Sequence, residues 1–233
     1  MKNKSKVLVL ILSAAALVAA SVFGTMAYLT DSDQVTNTFT VGNVTLGDGD
    51  EEAGLDEALV NEYGQPINND TDKTVVDLSE APRVQTNDYK LLPGHSYTKD
   101  PTVHIKNDSE SCWVFVKVEN GISDIEENDA DYTTVENQIT NKYGWTVLAG
   151  ETNVYYKKWE KPTTYDENDP TSDLIVFSNF AIDGDDVDAE DLAANANDTI
   201  TVYAYAVQYD GFEDNPAGAW DAVKAEYPTI TNP

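Results

Sequence analysis

The sequence predicts an all-β fold, a sandwich or barrel with short peripheral helices, and three observations predict it. Ser111 to Glu119 alternates strictly: Cys112, Val114, Val116 and Val118 lie on one side, and Trp113, Phe115 and Lys117 on the other. Thr199 to Tyr209 alternates over its whole length, with Ile200, Val202, Ala204 and Ala206 opposed to Tyr203, Tyr205, Val207 and Tyr209. The remaining apolar runs are short and parted by turn residues, giving about eight strands and little helix.

The elements follow in chain order. Lys2, Lys4 and Lys6 precede an apolar run from Val7 to Phe23, and Thr25-Met26-Ala27 then puts small residues at the −3 and −1 positions of a cleavage site. That order is the pattern of a secretory signal peptide over residues 1–27, cut between Ala27 and Tyr28, with a further possible cut after Ala20. The run falls short of the ~20 residues a spanning helix needs. No second stretch of spanning length follows, so no stable membrane anchor is expected after cleavage. Residues 28–233 read as a single domain with an acidic insertion around 48–72.

Thr36 to Leu46 reads as a strand in which Phe39 and Val41 share one face and Val44 and Leu46 another. The phase slips at Gly42-Asn43, which suggests a β-bulge. Asp48 to Asp72 reads as a solvated, mobile acidic loop containing a short helix, Leu55 to Tyr63, stopped by Gly64. Short strands are then expected at Thr74 to Leu78 and at Val103-His104-Ile105, the histidine opposite the two aliphatics. Trp145 to Ala149 and Asn153 to Trp159 flank Gly150-Glu151 as a hairpin. Leu174 to Ile182 reads as one further β run. The small residues on one face of Thr199 to Tyr209 suggest close approach by a second sheet or a helix. A C-terminal helix is signalled by Asn215 as N-cap, Pro216 at the first helical position, Trp220, Val223 and Tyr227 on one face, and Pro228 as the stop.

Charge narrows the function. The chain carries 42 acidic residues against 14 basic ones, a net charge of −28. Removing residues 1–27 takes away three of those lysines and no acid, leaving 206 residues at a net charge of −31. Nucleic acid needs a basic footprint and anionic lipid a basic patch, so neither is an expected partner. The lone cysteine, Cys112, has no intramolecular partner, so the fold rests on its core.

Ala27-Tyr28-Leu29-Thr30-Asp31 followed by Asn37-Thr38-Phe39-Thr40-Val41-Gly42 resembles the start of proteins exported through the SipW-type signal peptidase of Gram-positive bacteria. Leu92-Pro93-Gly94 with Lys99-Asp100 and then Val103 to Asn107 resembles the TasA and camelysin group. So does Tyr203-Ala204-Tyr205-Ala206-Val207-Gln208 ending in Asp210-Gly211-Phe212. The resemblance implies a jelly-roll-like β-sandwich, processing by the signal peptidase, and self-association or assembly with homologous subunits into fibres of a biofilm matrix. In such fibres an N-terminal strand completes a neighbour's sheet, which makes Phe39, Val41, Val44 and Leu46 the candidate donor strand. The acidic insertion and the stretch from Gly121 to Asn141 depart from the group.

Enzyme chemistry finds little support. A common zinc peptidase needs two histidines one helical turn apart with a glutamate between them. His95 and His104 are nine apart with Pro101 between them, so only a cross-strand site is open to them. Ser96 beside His95 sets no triad, and Cys112 is in phase with valines. Asp183-Gly184-Asp185-Asp186-Val187-Asp188 has carboxylate density without EF-hand order; Glu126, Glu127, Asp129 and Asp131 form a second cluster. Tyr155, Tyr156, Trp159, Tyr203, Tyr205 and Tyr209 fit either a sugar-stacking surface or a covered sheet face. The expectation is a secreted matrix or cell-surface structural subunit, not an enzyme and without a cofactor. The alternatives are a glycan- or calcium-binding adhesin and a camelysin-like metallopeptidase.

Overall fold

The computed structural model describes residues 30–33, 46, 54–128, 133–164 and 171–227. It is mostly β, with few and short helices. Five strands form one sheet in the order β1 (Thr30–Asp33), β11 (Ile200–Gln208), β6 (Cys112–Asn120), β8 (Val154–Trp159) and β7 (Thr146–Val147). Four form a second, in the order β3 (Arg83–Val84), β2 (Leu55–Ala58), β5 (Thr102–Lys106) and β9 (Thr171–Ile175). β4 (Ser96–Thr98) and β10 (Asn179–Ala181) pair separately. Every one of these pairings is antiparallel.

The alternation of β6 and β11 sets the layers. Cys112, Val114, Val116 and Val118 join Ala204 and Ala206 in a core shared with Leu46, Leu55, Val103 and Ile105 of the second sheet's side. The alanines of β11 therefore sit where the two sheets meet. The opposite face carries Trp113, Phe115, Tyr205 and Val207, and the helix α3 (Pro216–Glu226) covers it with Ala219, Trp220 and Val223. Asn215 caps this helix, its Oδ1 accepting from the Gly218 amide at 3.0 Å, and Pro216 opens it, as the sequence predicts. The centre of the five-stranded sheet, β6 with the second half of β11, is thus buried on both faces, and Trp220 meets Phe115 and Tyr205 at ring separations of 5.2 and 5.7 Å.

Shorter helices lie at the periphery. One is α1 (Val135–Asn137), which runs on as a π turn over Gln138–Lys142. Another is α2 (Ala189–Ala194), closed at its start by a capping box between Asp188 and Asp191. Among the described residues no helix is long and apolar enough to cross a membrane.

Four local expectations are overturned. Leu55 to Tyr63 is not a helix: Leu55–Ala58 is strand β2, and all four of its residues are buried. Partners elsewhere in the chain hold its two carboxylates, which overrides local spacing. Gly64 is not a helix stop; it turns at φ +74°, where a Cβ would lie 2.6 Å from the Tyr97 Cα. Thr74 to Leu78 holds only a single bridge, Ile67 to Val75, before a 3₁₀ turn at Leu78–Glu80. Leu174 to Ile182 is two elements: the chain leaves β9 after Ile175, buries Val176 and Phe177, and enters β10 in another sheet. The hairpin at Gly150-Glu151 stands, with Thr146 opposite Tyr156.

Cys112 is fully buried, and burial pushes its thiol far above the ordinary cysteine range. It is expected to resist thiol reagents in the native protein and to react on unfolding. Rapid native labelling, followed by mass spectrometry, would mean that the faces of β6 are reversed.

Candidate functional site

Three features stand apart from the core. The first is the outer edge of the five-stranded sheet. Among the described residues β1 pairs with β11 over four positions, from Thr30 opposite Val207 to Asp33 opposite Ala204. Ile200 to Tyr203, the first half of β11, has β6 on one side and no strand on the other among the described residues. Beside that open half lies a cavity of about 440 Å³. Ile200 and Val202 of β11 line it together with Leu55, Tyr89, Leu91 and Phe180, and polar groups of Glu57, Asn87 and Lys99 also reach it. A strand edge next to a cavity with apolar groups among its polar lining can take an added strand, with its alternate side chains in the cavity.

The second feature is a row of charge across the four-stranded sheet. His104 lies opposite Asp173 in the β5–β9 register, on the face away from Val103 and Ile105. Its Nδ1 is 2.7 Å from Asp173 Oδ1 and its Nε2 is 2.9 Å from Asp56 Oδ1. Arg83 continues the row: its Nε donates to Asp56 at 2.7 Å and its Nη1 to Asp100 at 2.6 Å. Asp100 also accepts from the Ala58 amide. Burial of the imidazole works against its charge, but the hydrogen bonds and charges of Asp56 and Asp173 outweigh it and raise its pKa to about 9. Arg83 is likewise held above its ordinary value, Asp100 and Asp56 overcoming the cost of its partial burial.

A third group sits on the other face of β2. By alternation Glu57 shares a side with the core residue Leu55. Its Oε2 accepts from Lys99 Nζ at 2.6 Å, and its Oε1 accepts from Asn87 Nδ2 at 2.9 Å. Tyr89 lies close by, its hydroxyl donating to Thr98 O. Burial pushes that phenol far above its ordinary value, and the charges of Glu57 and Asp100 push it further.

The structure places the sequence-predicted residues as follows. Ala27, Tyr28, Phe39, Val41 and Val44 lie outside the described residues. Leu46 is buried and bridged to Ile105 of its own chain. His95 and His104 do not form a pair: His95 Nε2 bonds Tyr63 O, and His104 is a buried, doubly bonded residue and not a strand-surface one. The expected solvated loop is corrected in the same way, since Asp56 and Glu57 are buried and paired. Among the described residues no cluster of histidine, cysteine and carboxylates has the form of a metal site. Asp183 instead accepts from the Asp185 and Asp186 amides, and Asp188 caps α2. Glu126 accepts from Asn120 and from the Val135 amide; Asp129 and Asp131 lie outside the described residues. Tyr155, Trp159 and Tyr205 are buried in the cores, with Tyr156, Tyr203 and Tyr209 packed against the α3 side.

Sequence reasoning missed the Arg83 network and the Glu57 group. One signal was available: Arg83 is the only arginine in the chain, and a fork-shaped cation in so acidic a sequence invites paired carboxylates. The chain matches no protein-family model, no curated protein and no solved structure.

Proposed function

We propose that the protein is a secreted structural subunit of the TasA and camelysin kind, a jelly-roll-like sandwich that assembles into extracellular fibres by N-terminal strand exchange. The observation that carries this reading is the placement of β1. Among the described residues four, Thr30–Asp33, close after the expected cleavage junction, pair along one half of the outer edge of β11, and the other half borders a cavity. A four-residue pairing is easily given up. The same segment can lie along its own β11 or along a neighbour's, and head-to-tail exchange of that sort continues as a filament. Phe39 and Val41, a few residues further on, supply alternate side chains of the size such a cavity takes.

Deleting Tyr28 to Asn37 is expected to abolish pelletable fibres while leaving a folded monomer. Phe39→Asp is expected to weaken assembly in the intact protein, by setting a carboxylate against the apolar groups of the groove and near the acidic ones that also line it. Sedimentation with negative-stain imaging checks both. Fibres of parental abundance from both variants would remove the N-terminal strand as the connector.

A further inference from the structure

We infer that Glu57, Lys99 and Asn87 form a self-modifying site that joins the Lys99 and Asn87 side chains through an amide bond. The inference does not rest on fibre assembly.

An amide between a lysine amine and an asparagine carboxamide needs four things. It needs the two groups side by side, a base to take the amine's proton, an acid to protonate the departing nitrogen, and a donor on the carboxamide oxygen. All four are present around Glu57. One carboxylate, Glu57, binds the two reactants on its two oxygens, Lys99 Nζ at 2.6 Å and Asn87 Nδ2 at 2.9 Å. The carboxamide cannot turn freely. The Val60 amide donates to Asn87 Oδ1 at 2.9 Å, while Asn87 Nδ2 also donates to Ala58 O at 2.9 Å. The Val60 N–H is therefore already aimed at the oxygen that gains negative charge during attack. Glu57 and Lys99 are withdrawn from water, their side chains 5% and 12% exposed, so the carboxylate acts on its two neighbours and not on solvent.

The step balances without any co-reactant. Glu57 takes a proton from the Lys99 ammonium, and the freed Nζ attacks Asn87 Cγ. An N–C bond forms and the carbonyl oxygen takes up the electron pair beside the Val60 N–H. The carbonyl then re-forms, the Cγ–Nδ2 bond breaks, and Nδ2 leaves as ammonia carrying the proton from Glu57. The second proton lost from Nζ passes through the same carboxylate to the departing nitrogen, so Glu57 ends ionised and the products are one secondary amide and one ammonium ion. The adjoining cavity is lined by all three residues and gives that ion a way out.

A purely electrostatic role for Lys99 would leave the carboxamide uninvolved, and intact mass separates the two. The purified folded protein, measured under denaturing conditions, is expected to be lighter than its sequence by one ammonia. Its digest is expected to contain a branched peptide joining Lys99 to Asn87. Lys99→Arg and Glu57→Gln are each expected to keep the full mass. A parent that holds the full mass after prolonged incubation in its folded state overturns the proposal. So does an ammonia loss that persists in Lys99→Arg, since that loss would come from an asparagine cyclising elsewhere. The branched peptide in the parent decides the matter even if a variant fails to fold.

Discussion

Replacing Arg83 with methionine is expected to destabilise the fold by about 2–4 kcal/mol. The cost comes from what the guanidinium leaves behind. Asp56 and Asp100 present side chains only 4% and 9% exposed, and Arg83 bonds both, with further contacts to their backbone carbonyls. Methionine keeps the stem's packing and leaves the two buried carboxylates with fewer partners, Asp56 with His104 and Asp100 with the Ala58 amide. The figure sits below that for a fully enclosed pair because Arg83 itself is 31% exposed. Arg83→Lys is expected to recover only part of the loss, since an ammonium cannot fork to two carboxylates at once. Urea unfolding gives the measurement. A methionine variant within about 0.5 kcal/mol of the parent, at unchanged m, would show that water or a neighbouring cation already serves these carboxylates.

Stability is expected to fall between near-neutral and alkaline pH, and His104 is the reason. Its folded pKa of about 9 lies above the ordinary value of 6.5, so protonation favours the folded state. That stabilisation is fully present below about pH 6.5 and is lost as pH rises through about 9. A shift of that size corresponds to at most about 3 kcal/mol. The Asp173 share is the smaller part, because its side chain is 62% exposed and therefore screened. Among the described residues Asp56 from β2 and Asp173 from β9 bond it directly, and Arg83 from β3 and then Asp100 continue the row through Asp56. His104→Asn is expected to lower stability at about pH 6 and to flatten the profile up to about pH 10. Thermal or urea unfolding across that range checks it, and an unchanged slope in the variant would assign the titration to another group.

The long strands were legible because alternation over nine residues leaves few other readings. In β6 and β11 both faces are apolar, which announces a sheet covered on two sides. The helix α3 was legible from its cap and its proline. β2 was not. Leu55, Ala58 and Leu59 have helical spacing, and Asp56 and Glu57 are poor strand formers. What holds them in a strand is pairing with β3 and β5 together with Arg83, Lys99 and His104, each far along the chain, and no local window contains those partners. For the same reason the Glu57 group escaped notice: its three members are brought together by the sheet and by the turn that follows β3. The split of Leu174 to Ile182 escaped because Val176 and Phe177 are as apolar as the strands they separate.

The register that sets Thr30 opposite Val207 also carries a clock. β1 is the earliest of the described strands to be made and β11 the last, and β11 needs β6 before it offers an edge. A chain emerging from its amino end therefore holds β1 single until nearly all of the described residues have followed it out. Pairing between segments so distant in sequence is slow to form. Under the proposed exchange, a finished neighbour whose own β1 has come away already presents the same edge during that interval. Where finished subunits are crowded, a newcomer's first strand meets a foreign partner before its own exists; where they are sparse, the high local concentration of one chain's two ends wins. Under the proposed strand exchange, subunit density at the moment of emergence then decides between the closed monomer and the growing chain of subunits.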